Sequence, residues 1–275
     1  MVKNIIFSGG GLRCWAYIGT LRVLKEYNFD AEQIIGVSAG SLFGLCYVLG
    51  ITWEFLLDYF MNINFKELID INLDNFLTQQ SFLEGIKFTN LIRELLSYVI
   101  DPDITFKGLY SFSKIKFTVN ALNITDSKLE YFNYELTPDI KVVDAVRASC
   151  NLPIFFPPYQ INDKFYYDGG LCNNCPIDIV EEVDTIAFNL SNNGINNSSM
   201  KLMDLLFCLV NMSNNFYYNK SSSNIYHILD TKFNDQIFNL NQSRDDIFNI
   251  YMDGYINSKN IIFKNHIALP WNEDI

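Results

Sequence analysis

Twice in its first fifty residues the chain closes a short apolar run on small residues and passes straight into helix-patterned sequence. Val2 to Phe7 is β-prone and is cut off by Gly9, Gly10 and Gly11. Leu12, Trp15, Gly19, Val23 and Tyr27 then recur at three- and four-residue intervals, the spacing of one helix face. Gln33 to Val37 repeats the strand, and after Ser38 the stretch Ala39 to Leu49 has the length and composition of a buried helix, with Gly40 and Gly44 placed for close packing. Strands alternating with helices in this way indicate an α/β fold, a mainly parallel sheet covered on both faces.

The rest of the chain extends this unit. Trp53, Leu56, Leu57, Phe60 and Met61 mark an amphipathic helix, and Phe82 to Val99 predicts another. Phe117, Val119 and Ala121 alternate as a strand does, with Lys128 to Tyr134 placed to pair beside it, and Val142 to Ala148 reads as a short helix. Tyr159 to Ile161 and Phe165 to Tyr167 flank Asn162-Asp163-Lys164, a hairpin turn, and this hairpin ends at Asp168-Gly169-Gly170. A strand at Thr185 to Leu190, a polar loop at Ser191 to Ser199, an apolar helix at Met200 to Met212, a strand at Ile225 to Leu229 and a helix at Arg244 to Asn260 complete the expectation. With no repeat or linker in view, residues 1–275 are expected to form one domain.

Composition excludes several partners. The chain carries 20 Lys+Arg against 31 Asp+Glu, a formal net charge of −11, and has no basic run, which argues against a nucleic-acid backbone as ligand. No apolar stretch approaches the roughly 18 residues of a spanning helix. The N-terminus lacks the long apolar region of a signal peptide, so the expectation is a cytoplasmic protein that begins at its fold. Cys172 and Cys175 form a lone C-x-x-C without a second pair, which reads as two incidental small residues rather than a metal or redox site.

Three constellations carry chemistry. Gly36-Val37-Ser38-Ala39-Gly40 is a G-x-S-x-G between a strand and a helix, where a strained turn flanked by residues without bulk lifts a serine hydroxyl above a sheet. Gly9-Gly10-Gly11-Leu12-Arg13 sits at another strand-to-helix turn, where unshielded backbone N–H groups can converge on an anion. It also fits part of a dinucleotide fingerprint with Asp30 or Glu32 downstream, but Cys14 occupies the place of the third glycine. Asp168-Gly169-Gly170 places a carboxylate beside two glycines at a strand end, either as a turn former or as a base. All three fall at the carboxyl ends of predicted strands, where open α/β sheets bind ligands.

In these blocks the chain resembles the patatin-like phospholipase family. SGGGLRCWAYIGTLRVL resembles the family's oxyanion segment, GVSAGSLFGL its nucleophile segment, and DAVRASCNLPIFFPPYQINDKFYYDGGLCNNCPID its base segment, in the family's order. The likeness is strongest over residues 8–180, with 200–275 as a C-terminal completion of helix and strand. It implies a three-layer α/β/α patatin-like fold and a lipid acyl hydrolase of phospholipase A type, acting through a serine acyl-enzyme. Ser38 would be the nucleophile and Asp168 its base, in a dyad without histidine. Gly9, Gly10 and Gly11 would form the oxyanion hole, with Arg13 at the family's basic position, and Gly36, Gly40, Gly169 and Gly170 are the motif glycines. No cofactor or metal is implied. The partner is a membrane or micellar lipid met peripherally, and −11 argues against global attraction to anionic lipid.

Two alternatives stand beside this reading. One is an α/β-hydrolase-type esterase whose triad takes a histidine from His227 or His266. The other is a catalytically weak lipid-binding protein of the same fold, suggested by Cys14 where many members have the last glycine of the loop. The Met200 to Met212 helix is placed to wall an acyl-chain cleft, or simply to fill the core.

Overall fold

The computed structural model of the chain describes residues 2–63, 70, 81–190, 224–230, 232–233, 239 and 241–264. In chain order the elements are β1 (Asn4–Phe7), α1 (Ala16–Glu26), β2 (Gln33–Gly36), α2 (Ala39–Val48), α3 (Trp53–Asn62), α4 (Ile86–Ser97), α5 (Phe106–Ser113), β3 (Lys116–Asn123), β4 (Lys128–Phe132), α6 (Val142–Ser149), β5 (Tyr159–Ile161), β6 (Lys164–Asp168), β7 (Thr185–Asn189), β8 (Ile225–His227) and α7 (Arg244–Lys264). The sheet runs β5-β6-β3-β2-β1-β7-β8, with β4 also on β3. Pairings β1–β2, β1–β7, β2–β3 and β7–β8 are parallel. Those of β3 with β4, β3 with β6 and β5 with β6 are antiparallel, so the sheet is mixed, with its parallel half around β1.

Central strands covered on both faces read as unbroken apolar runs. Ile5, Phe7, Ile34 and Phe188 point into the main core with residues of α1 and α2, while Ile6, Ile35 and Ala187 point the other way, against Cys175, Ile177 and Val180. Helices cover the sheet in the three-layer α/β/α arrangement.

The register around β3 positions everything that follows. Val119 pairs with both Gly36 of β2 and Phe132 of β4, and Ala121 pairs with both Glu130 of β4 and Asp168 of β6. A strand has two edges, so β4 takes one, and β2 and β6 share the other end to end. β2 runs parallel to β3 and stops opposite Val119; β6 runs antiparallel and stops opposite Ala121. Their carboxyl ends therefore meet head-on, separated by about 7 Å of β3 at the usual strand rise.

The structure shifts several predicted boundaries, the final helix running on to Lys264 and β4 ending at Phe132, and adds the helix α5. The helix expected from Phe82 begins at Ile86, because Phe82 and Leu83 instead donate their N–H groups to the Ile154 and Phe155 carbonyls. Gly85, at φ 80, starts the helix, and the Asp70 carboxylate accepts from the N–H groups of Gly85 and Lys87. The helix α5 starts at a Thr105 cap, whose Oγ1 accepts from Gly108 N. The expected loop at Ser191 to Ser199 and helix at Met200 to Met212 lie outside the described residues, as does His266. Among the described residues no helix is long and apolar enough to cross a membrane.

The helix α7 packs on α1 through glycines. A side chain at Gly19 would strike the backbone of Tyr251 and Tyr255, and one at Gly254 would strike the backbone of Ala16. That closeness lets the Thr20 and Ser258 hydroxyls bond at 2.8 Å in the buried seam, and Trp15 Nε1 donates to Gln242 Oε1 at 2.6 Å. Gly254→Val overfills this crossing and is expected to destabilise the fold by about 1–3 kcal/mol. The shift of the urea unfolding midpoint at unchanged slope measures it.

Candidate active site

Between the end of β2 at Gly36 and the start of α2 at Ala39 the chain has two residues in which to reverse, and it does so with Ser38 at φ 51 and ψ −132. That left-handed conformation is strained for a residue with a Cβ. The glycines make it possible. A side chain at Gly36 would collide with the backbone of Ser41, and one at Gly40 with the Phe7 and Ser8 carbonyl oxygens at the end of β1. Three hydrogen bonds hold the turn: Ser38 N–H donates to Ser149 Oγ at 2.9 Å, and the Ser38 carbonyl accepts from Ser41 N–H at 2.8 Å and Ser41 Oγ at 2.6 Å.

The head-on meeting of β2 and β6 brings Asp168 to this turn. Ser38 Oγ donates to Asp168 Oδ2 at 2.6 Å, and Gly170 N–H donates to Asp168 Oδ1 at 2.8 Å. Both carboxylate oxygens are thus oriented. Gly169 lies where a side chain would meet Asn120 of β3, which explains why the turn after the carboxylate carries glycine. Asp168 is 1% exposed, and burial pushes its carboxyl up to about 7, although the bonds from Ser38 and Gly170 pull the other way.

The glycine turn passes directly over the serine: a Cβ built on Gly9 would lie 2.9 Å from Ser38 Cβ. Gly9 is clamped on both its polar groups. Its N–H donates to Asn174 Oδ1 and its carbonyl accepts from Asn174 Nδ2, both at 3.1 Å. Gly10 presents its carbonyl to Arg13, which donates through backbone N–H and side-chain Nε, both at 3.3 Å. In a trans peptide the carbonyl and the following N–H point in opposite directions. Asn174 and Arg13 therefore fix where the Gly10 and Gly11 N–H groups point, and among the described residues no hydrogen bond uses either one. Within the glycine turn, the Gly9 N–H is committed to Asn174.

Arg13 is fully buried, which lowers its guanidinium to about 10. Cys14 sits in the 3-10 turn Gly11–Trp15 with its side chain in the main core. Beneath the loop, Ser8 Oγ donates to Asn189 Oδ1 at 3.0 Å, and the Tyr17 hydroxyl donates to the Ser8 carbonyl at 2.7 Å, tying β1, α1 and β7 together. His227 is exposed on β8, three strands from β2 and so about 14 Å away at the usual strand spacing.

Sequence reasoning brought together Ser38, Asp168 and the glycine turn, and the structure places them in contact. It missed Ser149, Asn151 and Asn174. All three lie inside the quoted base segment but outside its predicted strands and helix, where no local pattern singles them out.

The strain at Ser38 gives a test that does not depend on catalysis. Ala at this position keeps the left-handed strain, of order 1–3 kcal/mol, whereas Gly relieves it at a chain-entropy cost of about 0.4–1 kcal/mol. Ser38→Gly is expected to be more stable than Ser38→Ala by about 1 kcal/mol in urea unfolding.

The family described as patatin-like phospholipase matches residues 5–180. Among curated proteins, the chain is 30% identical over 235 residues to the probable lipid hydrolase 463L of Invertebrate iridescent virus 6, spanning 83% of this chain and 79% of that one. Among solved structures it resembles VipD from Legionella pneumophila, with a TM-score of 0.65 at 13% identity over 96% of this chain and 67% of that one. It also resembles the type III effector ExoU of Pseudomonas aeruginosa, with a TM-score of 0.56 at 13% identity. That match covers 97% of this chain, which spans 54% of the effector.

Proposed function

The chain belongs to the patatin-like phospholipase family, and we propose that it is a lipid acyl hydrolase that cleaves carboxylic esters through a Ser38 acyl-enzyme with Asp168 as the base. The observation that carries the mechanism is the 2.6 Å hydrogen bond from Ser38 Oγ to a buried carboxyl whose proton affinity burial has raised to about 7. An ordinary aspartate, near 3.9, is a feeble base towards a hydroxyl; one near 7 is matched to neutral pH.

In the first half-reaction Ser38 Oγ attacks the ester carbonyl carbon as its proton passes to Asp168 Oδ2. The carbonyl oxygen gains charge and is met by the Gly10 and Gly11 N–H groups, with the amino end of α2 adding its partial positive charge. Collapse of the tetrahedral adduct expels the alcohol portion of the lipid, which takes the proton from Asp168. A water then gives its proton to the same carboxylate and attacks the acyl-serine. The fatty acid leaves, and the proton returns to Ser38. Phospholipase A-type cleavage of a phospholipid is the reading for the substrate, in keeping with the family. A triad through His227 is disfavoured, since Asp168 already holds the serine and His227 is remote.

Ser38→Ala and Asp168→Asn are each expected to lower ester hydrolysis by at least about 10³-fold while the fold survives, and a fluorophosphonate should label Ser38 in the wild type alone. Substantial turnover by either folded variant would sink the dyad. Incubation with a defined lipid panel, followed by mass spectrometry of released fatty acids and lysolipids, tests the substrate class.

The acid limb of kcat/KM should have its midpoint near 7, activity failing as Asp168 takes up a proton. Stability should move the opposite way. The folded state binds this proton more tightly than the unfolded chain, so the stabilising contribution is complete below the ordinary carboxylate range and is lost as pH rises through about 7. Asp168→Asn cannot ionise. It is expected to melt above the wild type in alkaline buffer, by a margin that shrinks on acidification.

A further inference from the structure

The end of α6 and the residues just after it hold both halves of the site, from positions two residues apart. Ser149 Oγ accepts the Ser38 N–H at 2.9 Å, and the Asn151 carbonyl accepts the Asp168 N–H at 3.0 Å. Asn151 also replaces the strand that β6 lacks on its outer edge. β5 pairs with β6 only as far as Tyr166, and beyond it the Asn151 main-chain carbonyl takes the Asp168 N–H while its Nδ2 donates to the Tyr166 carbonyl at 3.1 Å and the Pro157 carbonyl at 2.8 Å. Its remaining polar atom, Oδ1, accepts from Arg147 Nη1 at 2.6 Å.

Arg147 is costly where it stands. It is 1% exposed, its guanidinium lies 4.2 Å from the Phe156 ring centre and 5.3 Å from that of Tyr159, and its Nε has no hydrogen-bond partner among the described residues. Gly85 leaves the room for it, since a side chain there would run into Nη2. Burying a cation with incomplete pairing is unfavourable. The stacking recovers part of that cost, and the rigid planar fork aims one donor at Asn151.

We propose that Arg147 and Asn151 are positioning residues that hold the end of β6 so that the Asp168 carboxyl lies in line with Ser38. The proposal rests on the reading of Asp168 as the base. Neither residue touches the reacting atoms; they act through the main chain of Tyr166 and Asp168. Loosening that end lengthens the Ser38–Asp168 hydrogen bond. Since this bond holds the carboxyl down, its loss raises the pH at which the base becomes available. The other titratable group close to Asp168 among the described residues is the Cys150 thiol, which burial pushes up to about 12, so it stays neutral through the neutral range and does not contribute to the limb.

Asn151→Ala, Arg147→Met and Arg147→Lys in the full chain, assayed on a soluble ester across pH, test this. Misplacing the base is expected to lower kcat by about tenfold to a hundredfold in Asn151→Ala and Arg147→Met, with KM within about twofold and the acid limb moved to higher pH. Arg147→Lys, which keeps a stacked cation with a donor for Asn151, should recover most of kcat and return the limb. Wild-type kcat and limb in folded Asn151→Ala would overturn the proposal. So would activity losses that track a lowered melting temperature with the limb unmoved and Lys no better than Met. Asp168→Asn run alongside separates the two readings. If it keeps activity, the base assignment and this proposal fall together; if it is inactive while Asn151→Ala matches the wild type, this proposal alone falls.

Discussion

The hydrogen bond between Ser38 and Asp168 exists because two strands that run in opposite directions end on the same edge of β3. β2 approaches in parallel and stops opposite Val119, and β6 approaches antiparallel and stops opposite Ala121. Each strand delivers its site residue from its carboxyl end, so neither has to bend towards the other. A sheet that was parallel throughout would need a longer side chain or a loop to bridge the same gap. The antiparallel hairpin of β5 and β6 is thus what makes a two-residue site possible, and the parallel half of the sheet supplies the strand-to-helix turns that surround it.

Around that contact the backbone is held by crowding and by amides. Gly36 and Gly40 press the start of α2 against its own strand and against the end of β1, which forces Ser38 into its left-handed conformation. Polar side chains then hold what the glycines leave free. Asn174 clamps Gly9, Arg13 takes the Gly10 carbonyl, Asn120 donates to the Asn173 carbonyl, and Asn151 closes the edge of β6. Asn151 and Asn174 are buried with both side-chain polar atoms hydrogen-bonded, so their bonds are rigid supports, whereas the Asn120 Oδ1 has no partner among the described residues. Around the site, asparagine is a structural residue.

Much of this was legible in advance. The strand-turn-helix units at Gly9 and Gly36, the hairpin before Asp168 and the final helix follow from periodicity and turn residues, because those patterns are local. The start of α4 was not legible, since Phe82 and Leu83 carry helical periodicity yet spend their N–H groups on Ile154 and Phe155, each 72 positions away. Ser149 and Asn151 were passed over for the same reason: what they hold lies on other strands. The helix α5, eight residues like the legible α6, was not read from the sequence.

The sequence by itself determined the chemistry at hand, a serine at a strained strand-to-helix turn, a glycine turn and a carboxylate beside two glycines, because each is a local arrangement that only those residue types can form. Tertiary structure decided which of them meet and how. It placed Asp168 on Ser38 through the register of β3, tied the Gly9 N–H to Asn174, and raised the affinity of Asp168 for its proton by burying it. Distance and dielectric are properties of the packed molecule, and no spacing along the chain encodes them.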